Sequence, residues 1–261
     1  MIKKSIQLAI CTHLIPSNTR ASDIAVACGA TGIDFAVNIA NVDNLKQALN
    51  DCCGPDSGFD IRFHAYFADV EIGSADVGRA AKGLDFMRHV VANVAAAEGH
   101  YLTIHLGFNL GLHGVIDVAS TIDGLKALVD YAGDLGVTVC VENLRRGLTA
   151  RPEDFIRVAE ETGAAVTFDV GHFNSSEAAA NGWTAEDIIA KLGNRIAAAH
   201  VYEAEVDGKG HIAPLDLTLV RPALDALSKT TCGWWVAELG DPDEISRTIN
   251  LLRDYRRQPV S

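Results

Sequence analysis

Six short apolar runs in this chain carry, at or near their ends, a side chain able to hold a metal ion. Glu142 lies in VTVCVEN, Asp169 in AAVTFDVGH, His200 in IAAAHVYEAE and Glu238 in GWWVAELG; earlier, His64 lies in IRFHAYF and His105 in YLTIHLG. One polar residue at the end of one apolar run is ordinary. The same placement in run after run points to a shared site where the runs end together. Glu142, Asp169, His200 and Glu238 make three carboxylates and one imidazole. That donor set suits a divalent cation, and its oxygen-rich character favours Mn2+ or Mg2+ over Zn2+ or Co2+. Carboxylates gathered closely repel one another, and a dication removes that repulsion.

Other chemistry-bearing residues cluster near these positions. His172 follows Asp169 by three residues, just past its run, where it can support a ligand, touch a substrate or bind a second metal. His211 lies in the turn-rich DGKGHIAP, and His13 near the end of the first run is a candidate pocket residue. His113, in the glycine-rich FNLGLHGVID, stays unassigned, whereas His89 and His100 fall on a helix-like segment and its exit and read as structural or exposed. Phe108 and Tyr66 follow their runs closely enough to stack on a bound ligand, while Trp234 and Trp235 begin theirs and read as packing.

The elements that must position these residues follow from the same pattern. Apolar runs bounded by turn residues read as β-strands, and each is followed by a helix-like segment. SDIAVACGA is one such helix, with Ser22 placed to cap it; RPEDFIRVAEETG is another, with Pro152 in its first turn and Gly163 at its end. The N-terminal MIKKSIQLAICTHL lacks the long apolar region of a secretory signal, so it reads as the first strand. The alternation gives eight strand–helix units over residues 1–261. The strands are continuously apolar, as in sheets covered on both faces. The expectation is an α/β protein with one domain, a single (β/α)8 TIM barrel. An open doubly wound sheet is the alternative, but no GxGxxG follows the first strand. In such a barrel the active site lies at the C-terminal ends of the strands, where the six donors fall.

Composition narrows the partners. The chain is 48% hydrophobic and 21% charged, ordinary for a globular protein with a large core. Its formal net charge of -12 weighs against a nucleic-acid partner, since that affinity comes largely from Lys and Arg on phosphates. No apolar segment reaches the length of a membrane span. The six cysteines form no CxxC pair and read as reduced thiols of a cytoplasmic protein. The adjacent Cys52 and Cys53 are assigned to a Gly/Pro/Asp loop without chemistry.

At these motifs the chain resembles the xylose-isomerase-like barrel superfamily, which holds sugar isomerases and epimerases, inosose dehydratases and apurinic endonucleases of the endonuclease IV type. The resemblance covers nearly the whole chain. It rests on Glu142 in VEN, Asp169 and His172 in FDVGH, His200 in AAHVYEAE, Glu238 in VAELG, His64 in FHAYF and His105 in IHLG. It implies Glu142, Asp169, His200 and Glu238 as metal ligands and Glu142 and Glu238 as acid–base residues. His172, His64, His105, Lys209 and His211 would contact substrate, with Lys209 or Arg145 binding a hydroxyl, carboxylate or phosphate.

Two departures matter. The endonuclease branch carries a D-x-H pair after strand seven, and here that stretch reads Lys209-Gly210-His211. Many members end strand two with a glutamate, whereas GIDFAVN offers Asn38 and no carboxylate at its end. The implied activity is a metal-dependent isomerase or epimerase of a sugar, a sugar-like polyol or a keto acid. It would transfer a proton through an enediolate on a small carbohydrate-like substrate. The alternatives are an endonuclease IV-like zinc phosphodiesterase, an inosose-type dehydratase, and a barrel that binds a sugar without turning it over. Barrels of this kind commonly form homo-oligomers, though no stripe in the sequence marks an interface.

Overall fold

The computed structural model describes residues 6–16, 20–54, 58–107 and 114–257. The strands, in chain order, are β1 (Gln7–Cys11), β2 (Gly32–Val37), β3 (Asp60–Ala65), β4 (Tyr101–Ile104), β5 (Thr138–Glu142), β6 (Ala165–Asp169), β7 (Ile196–Val201), β8 (Ala204–Val206), β9 (Gly210–Ile212) and β10 (Trp234–Ala237). Eight of them close into a parallel barrel in the order β1-β10-β7-β6-β5-β4-β3-β2. β8 and β9 form a separate antiparallel hairpin on the segment leaving β7. With helices following the strands around the ring, the protein is a single (β/α)8 TIM barrel.

The helices used below are α1 (Ala21–Cys28), α2 (Leu45–Cys53), α3 (Val77–Ala96), α4 (Val118–Asp134), α5 (Pro152–Thr162) and α6 (Val170–Asn174). α5 begins at Pro152 and ends against Gly163, whose φ of 73° is the left-handed conformation a side chain resists. Ser22 does not cap α1: the helix starts at Ala21, Arg20 stands at the cap without a side-chain bond, and Ser22 is buried in the first turn. Cys52 and Cys53 are not in a loop either; they are the last two residues of α2.

Strand alternation sorts side chains between two cores. Along β10, Trp234 and Val236 join Ala9, Cys11 and Ala198 in a small cluster inside the barrel, while Trp235 and Ala237 join the larger core beneath the helices. Both indoles are packed, as expected. The Trp234 ring plugs the barrel opposite Gly32, where an added Cβ would stand 2.3 Å from the ring. Arg62 closes the same end, with its guanidinium 3.8 Å from the Tyr101 ring centre and 4.7 Å from that of Trp234, and donates a 2.9 Å hydrogen bond to the Ala197 carbonyl. Truncating an indole buried this completely costs about 3–5 kcal/mol. Further up, Thr103 and Thr167 share a 2.8 Å hydrogen bond across the interior. This filled floor leaves the opposite, C-terminal end of the strands for polar residues.

Candidate metal centre

Glu238 continues the inward series of Trp234 and Val236, and His200, Asp169 and Glu142 stand on the neighbouring strands β7, β6 and β5. One ligand atom from each of the four lies within 4.8 Å of all the others, and all four residues are buried. His200 Nδ1 is 3.3 Å from Glu238 Oε2, 3.5 Å from Glu142 Oε1 and 3.7 Å from Asp169 Oδ2. Asp169 is fixed twice. Its Oδ1 accepts the His172 backbone N–H at 2.6 Å, capping α6, and Asn143 bonds both its backbone N–H and its carbonyl at 2.8 Å. Asp169 Oδ2 is thereby left pointing into the cluster.

The cluster passes a simple test for a cation. Both Glu142 oxygens, Asp169 Oδ2, Glu238 Oε2 and both His200 nitrogens are buried without a hydrogen bond. Buried polar atoms of this kind are costly unless something compensates them. Hard oxygen donors converging with one imidazole suit a divalent cation.

Neighbouring imidazoles shift the protonation of these donors. Burial pushes the Glu142 and Glu238 carboxyls up, yet His200 above all holds both well below the ordinary range. Burial lowers His200, but the charges of Glu238 and Glu142 carry it well above its ordinary value. His172 moves the same way beside Asp169 and Glu142. Asp169 is the exception. Burial, joined by the repulsion of Glu238 and Glu142, outweighs the pull of the histidines and raises it to about 6.

Around the four donors stands a ring of imidazoles. His64 Nε2 lies 2.9 Å from His105 Nε2, and each is 3.3 Å from Glu142 Oε2. His64 Nδ1 is 3.7 Å from Glu238 Oε1, so this ring sits between the two glutamates. His172 Nδ1 is 3.3 Å from Glu142 Oε1. His211 binds the Glu238 carbonyl at 2.8 Å and stacks on Tyr202 with ring centres 3.8 Å apart. His13 approaches Glu238 Oε1 at 3.8 Å, and its pKa is lowered to about 4, first by burial, against the pull of Glu238. Tyr66 meets the His105 ring edge-on at 5.6 Å. Phe108 and His113 lie outside the described residues.

Lys209 is not brought to this site. It is exposed in the turn between β8 and β9, and none of the cluster contacts involves it. Arg145 approaches the site instead: its Nε is 3.4 Å from Glu205 Oε2, and that carboxylate oxygen is in turn 3.4 Å from His172 Nε2.

Two acids were missed in the sequence. β2 has no carboxylate at its end, but Asp34 in its middle points inward, with Oδ2 3.5 Å from His64 Nδ1 and 3.6 Å from His200 Nε2. Period-two alternation along GIDFAV separates Asp34 from the apolar Ile33, Phe35 and Val37, so an inward carboxylate was recoverable from the pattern. Glu205 reaches His172 only through the hairpin, whose turn residues DGKG stand in the sequence but whose placement against the barrel does not.

Residues 22–255 match the family described as xylose isomerase-like TIM barrel. The chain is 31% identical over 195 residues to the uncharacterized protein MJ0008 of Methanocaldococcus jannaschii, covering 75% of this chain and 80% of that one. It is 25% identical over 118 residues to the D-psicose 3-epimerase of Agrobacterium fabrum, 41% of each chain. Its fold is that of a Methylomonas D-allulose 3-epimerase solved with D-allulose, at TM-score 0.73 and 17% identity over 97% of this chain and 98% of that one.

Proposed function

Because this chain belongs to the xylose isomerase-like TIM barrel family, we propose that it is a metal-dependent sugar epimerase or isomerase, acting by proton transfer beside a substrate carbonyl. The observation that carries this reading is the set of four buried donors within 4.8 Å of one another, their inward oxygens without hydrogen-bond partners.

Glu142, Asp169, His200 and Glu238 would hold the cation, with Mn2+ or Mg2+ favoured. When bound, it supplies positive charge that grips adjacent substrate oxygens and stabilises the charge developing on the carbonyl oxygen. The chain's own residues then move the proton. Glu142 and Glu238 each turn one oxygen towards His200 and the other towards His64, at 3.5 and 3.3 Å for Glu142 and 3.3 and 3.7 Å for Glu238. Each can therefore serve as ligand through one oxygen and as base or acid through the other. Removal by one glutamate and return by the other inverts a carbon. Return to the neighbouring carbon isomerises the sugar. His172, His105, His64 and His211 line the mouth with donors for substrate hydroxyls.

The test is deuterium uptake from solvent by a panel of ketoses, aldoses and inososes with Mn2+, Mg2+, Co2+ or Zn2+. Uptake with no member of the panel under any metal would end this reading. One observation supports a second reading, phosphodiester hydrolysis: ligand atoms of His64, His105 and Glu142 also lie within 4.8 Å of one another and could take a further cation. The net charge of -12 and the outward Lys209 weigh against it. About one metal per chain by elemental analysis supports the epimerase, and about three zincs the nuclease.

A further inference from the structure

Beside the metal centre, residues 114–116 and the loops after β5 and β6 line an open groove of about 760 Å3. Pockets that hold small organic ligands commonly span about 300–1,000 Å3. The loops after β5 and β6 leave the C-terminal ends of their strands, so the groove opens on the same face as the metal centre. Arg145 forms part of its wall and joins it to the centre through Glu205 and His172, each contact spanning 3.4 Å.

The lining identifies the ligand chemistry. Trp183 gives a partly buried aromatic surface, and Arg145, Arg146, Arg151, Glu177 and Asn181 surround it with planar polar groups. Three arginines suggest an anion, but their charge is already met. Arg145 and Arg146 both pair with Asp207, Arg145 pairs further with Glu205, and Arg151 pairs with Asp154. Glu177 adds another negative charge. A phosphate would set its charge against these carboxylates. A neutral polyol would not: it offers C–H faces to an indole and hydroxyls that both donate to carboxylates and accept from guanidiniums.

We propose that this groove is the subsite for a second, neutral sugar unit, so that the substrate is a glycoside or disaccharide whose keto-sugar sits at the metal centre. The second part of this statement rests on the epimerase reading, and the first does not.

The two parts are tested separately. EDTA-treated protein is titrated calorimetrically with maltose and with inorganic phosphate, alongside Trp183→Ala and Arg151→Ala. Saturable binding of maltose, weakened about tenfold in either variant, and no binding of phosphate is the expected result. Arg151 is at the surface, so its variant stands if Trp183→Ala fails to fold. Absent maltose binding, or maltose binding unchanged in the folded variants, overturns the subsite; phosphate binding in its place overturns the neutral-sugar assignment. The Mn2+-loaded enzyme is then compared on D-fructose and on ketose disaccharides of different linkage, with at least one disaccharide expected to show kcat/KM about tenfold higher. Turnover of fructose with no advantage for any disaccharide overturns the glycoside assignment and leaves the epimerase intact. Maltose binding without turnover of any sugar overturns the epimerase reading and with it the substrate assignment, but leaves the sugar subsite standing.

Discussion

Asp34 Oδ2 stands 3.6 Å from His200 Nε2, on the side of the ring opposite the nitrogen that faces Glu142, Asp169 and Glu238. A carboxylate behind a histidine fixes which nitrogen carries the proton and leaves the other free to ligate. With a cation on Nδ1, the proton on His200 Nε2 would face Asp34, which would then orient the ring without being one of the four donors. Asp34→Asn should weaken Mn2+ affinity by about 10–100-fold while all four donors remain. Titration calorimetry on the folded variant decides it, and an unchanged affinity would show that Asp34 does not orient the ring.

Glu142→Gln and Glu238→Gln each remove a base while keeping side-chain shape. Each should lower solvent-deuterium exchange into substrate by about 10²–10⁴-fold. Glu142 is buried with both oxygens lacking hydrogen bonds, so its amide variant need not unfold the barrel, and circular dichroism checks that. Exchange at the wild-type rate in one variant would remove that residue from the proton-transfer pair.

Cation binding should raise stability, because the donor set exists only in the folded barrel. At a free concentration of 100 times Kd the gain is about 2.7 kcal/mol. The melting temperature of EDTA-treated protein should climb with added Mn2+ and return on chelation. A flat response across metals would contradict the centre.

Protons should compete with the cation. Asp169 is raised to about 6, by burial first, and His200 is raised well above its ordinary value, so the cation-free site holds protons that ligands must lose. The sign follows directly: binding releases protons, so affinity falls with falling pH once His200 is protonated, above its ordinary range, and falls more steeply below about 6, where Asp169 is protonated too. Below that pH, each proton displaced costs about tenfold in affinity per pH unit. Calorimetry in buffers of different ionisation enthalpy counts the protons; a count of zero at pH 5.5 would refute the competition.

Gly32→Ala tests the barrel floor. The new Cβ would stand 2.3 Å from the Trp234 ring, so the indole or the strand must shift. The expected loss is about 1–3 kcal/mol, read as a lower denaturant midpoint with metal binding retained. An unchanged midpoint would mean the indole is free to move.

The barrel and the gathering of its four candidate donors were legible because both depend on local pattern. An apolar run ending in a His, Asp or Glu says strand and strand end at once, and in a parallel barrel all strand ends of one sense meet at one face. Glu142, Asp169, His200 and Glu238 therefore needed no knowledge of distant contacts. Register and loop path are different. Asp34 sits in the middle of β2, and only the stagger of β2 against its neighbours brings it level with His64 and His200. Glu205 and Lys209 are four residues apart on one hairpin, yet one reaches His172 and the other faces solvent. That difference is set by how Arg145, Ser175 and Asn174 hold the hairpin against the barrel. Such contacts join residues about thirty to sixty positions apart, a separation that periodicity over a few residues cannot encode.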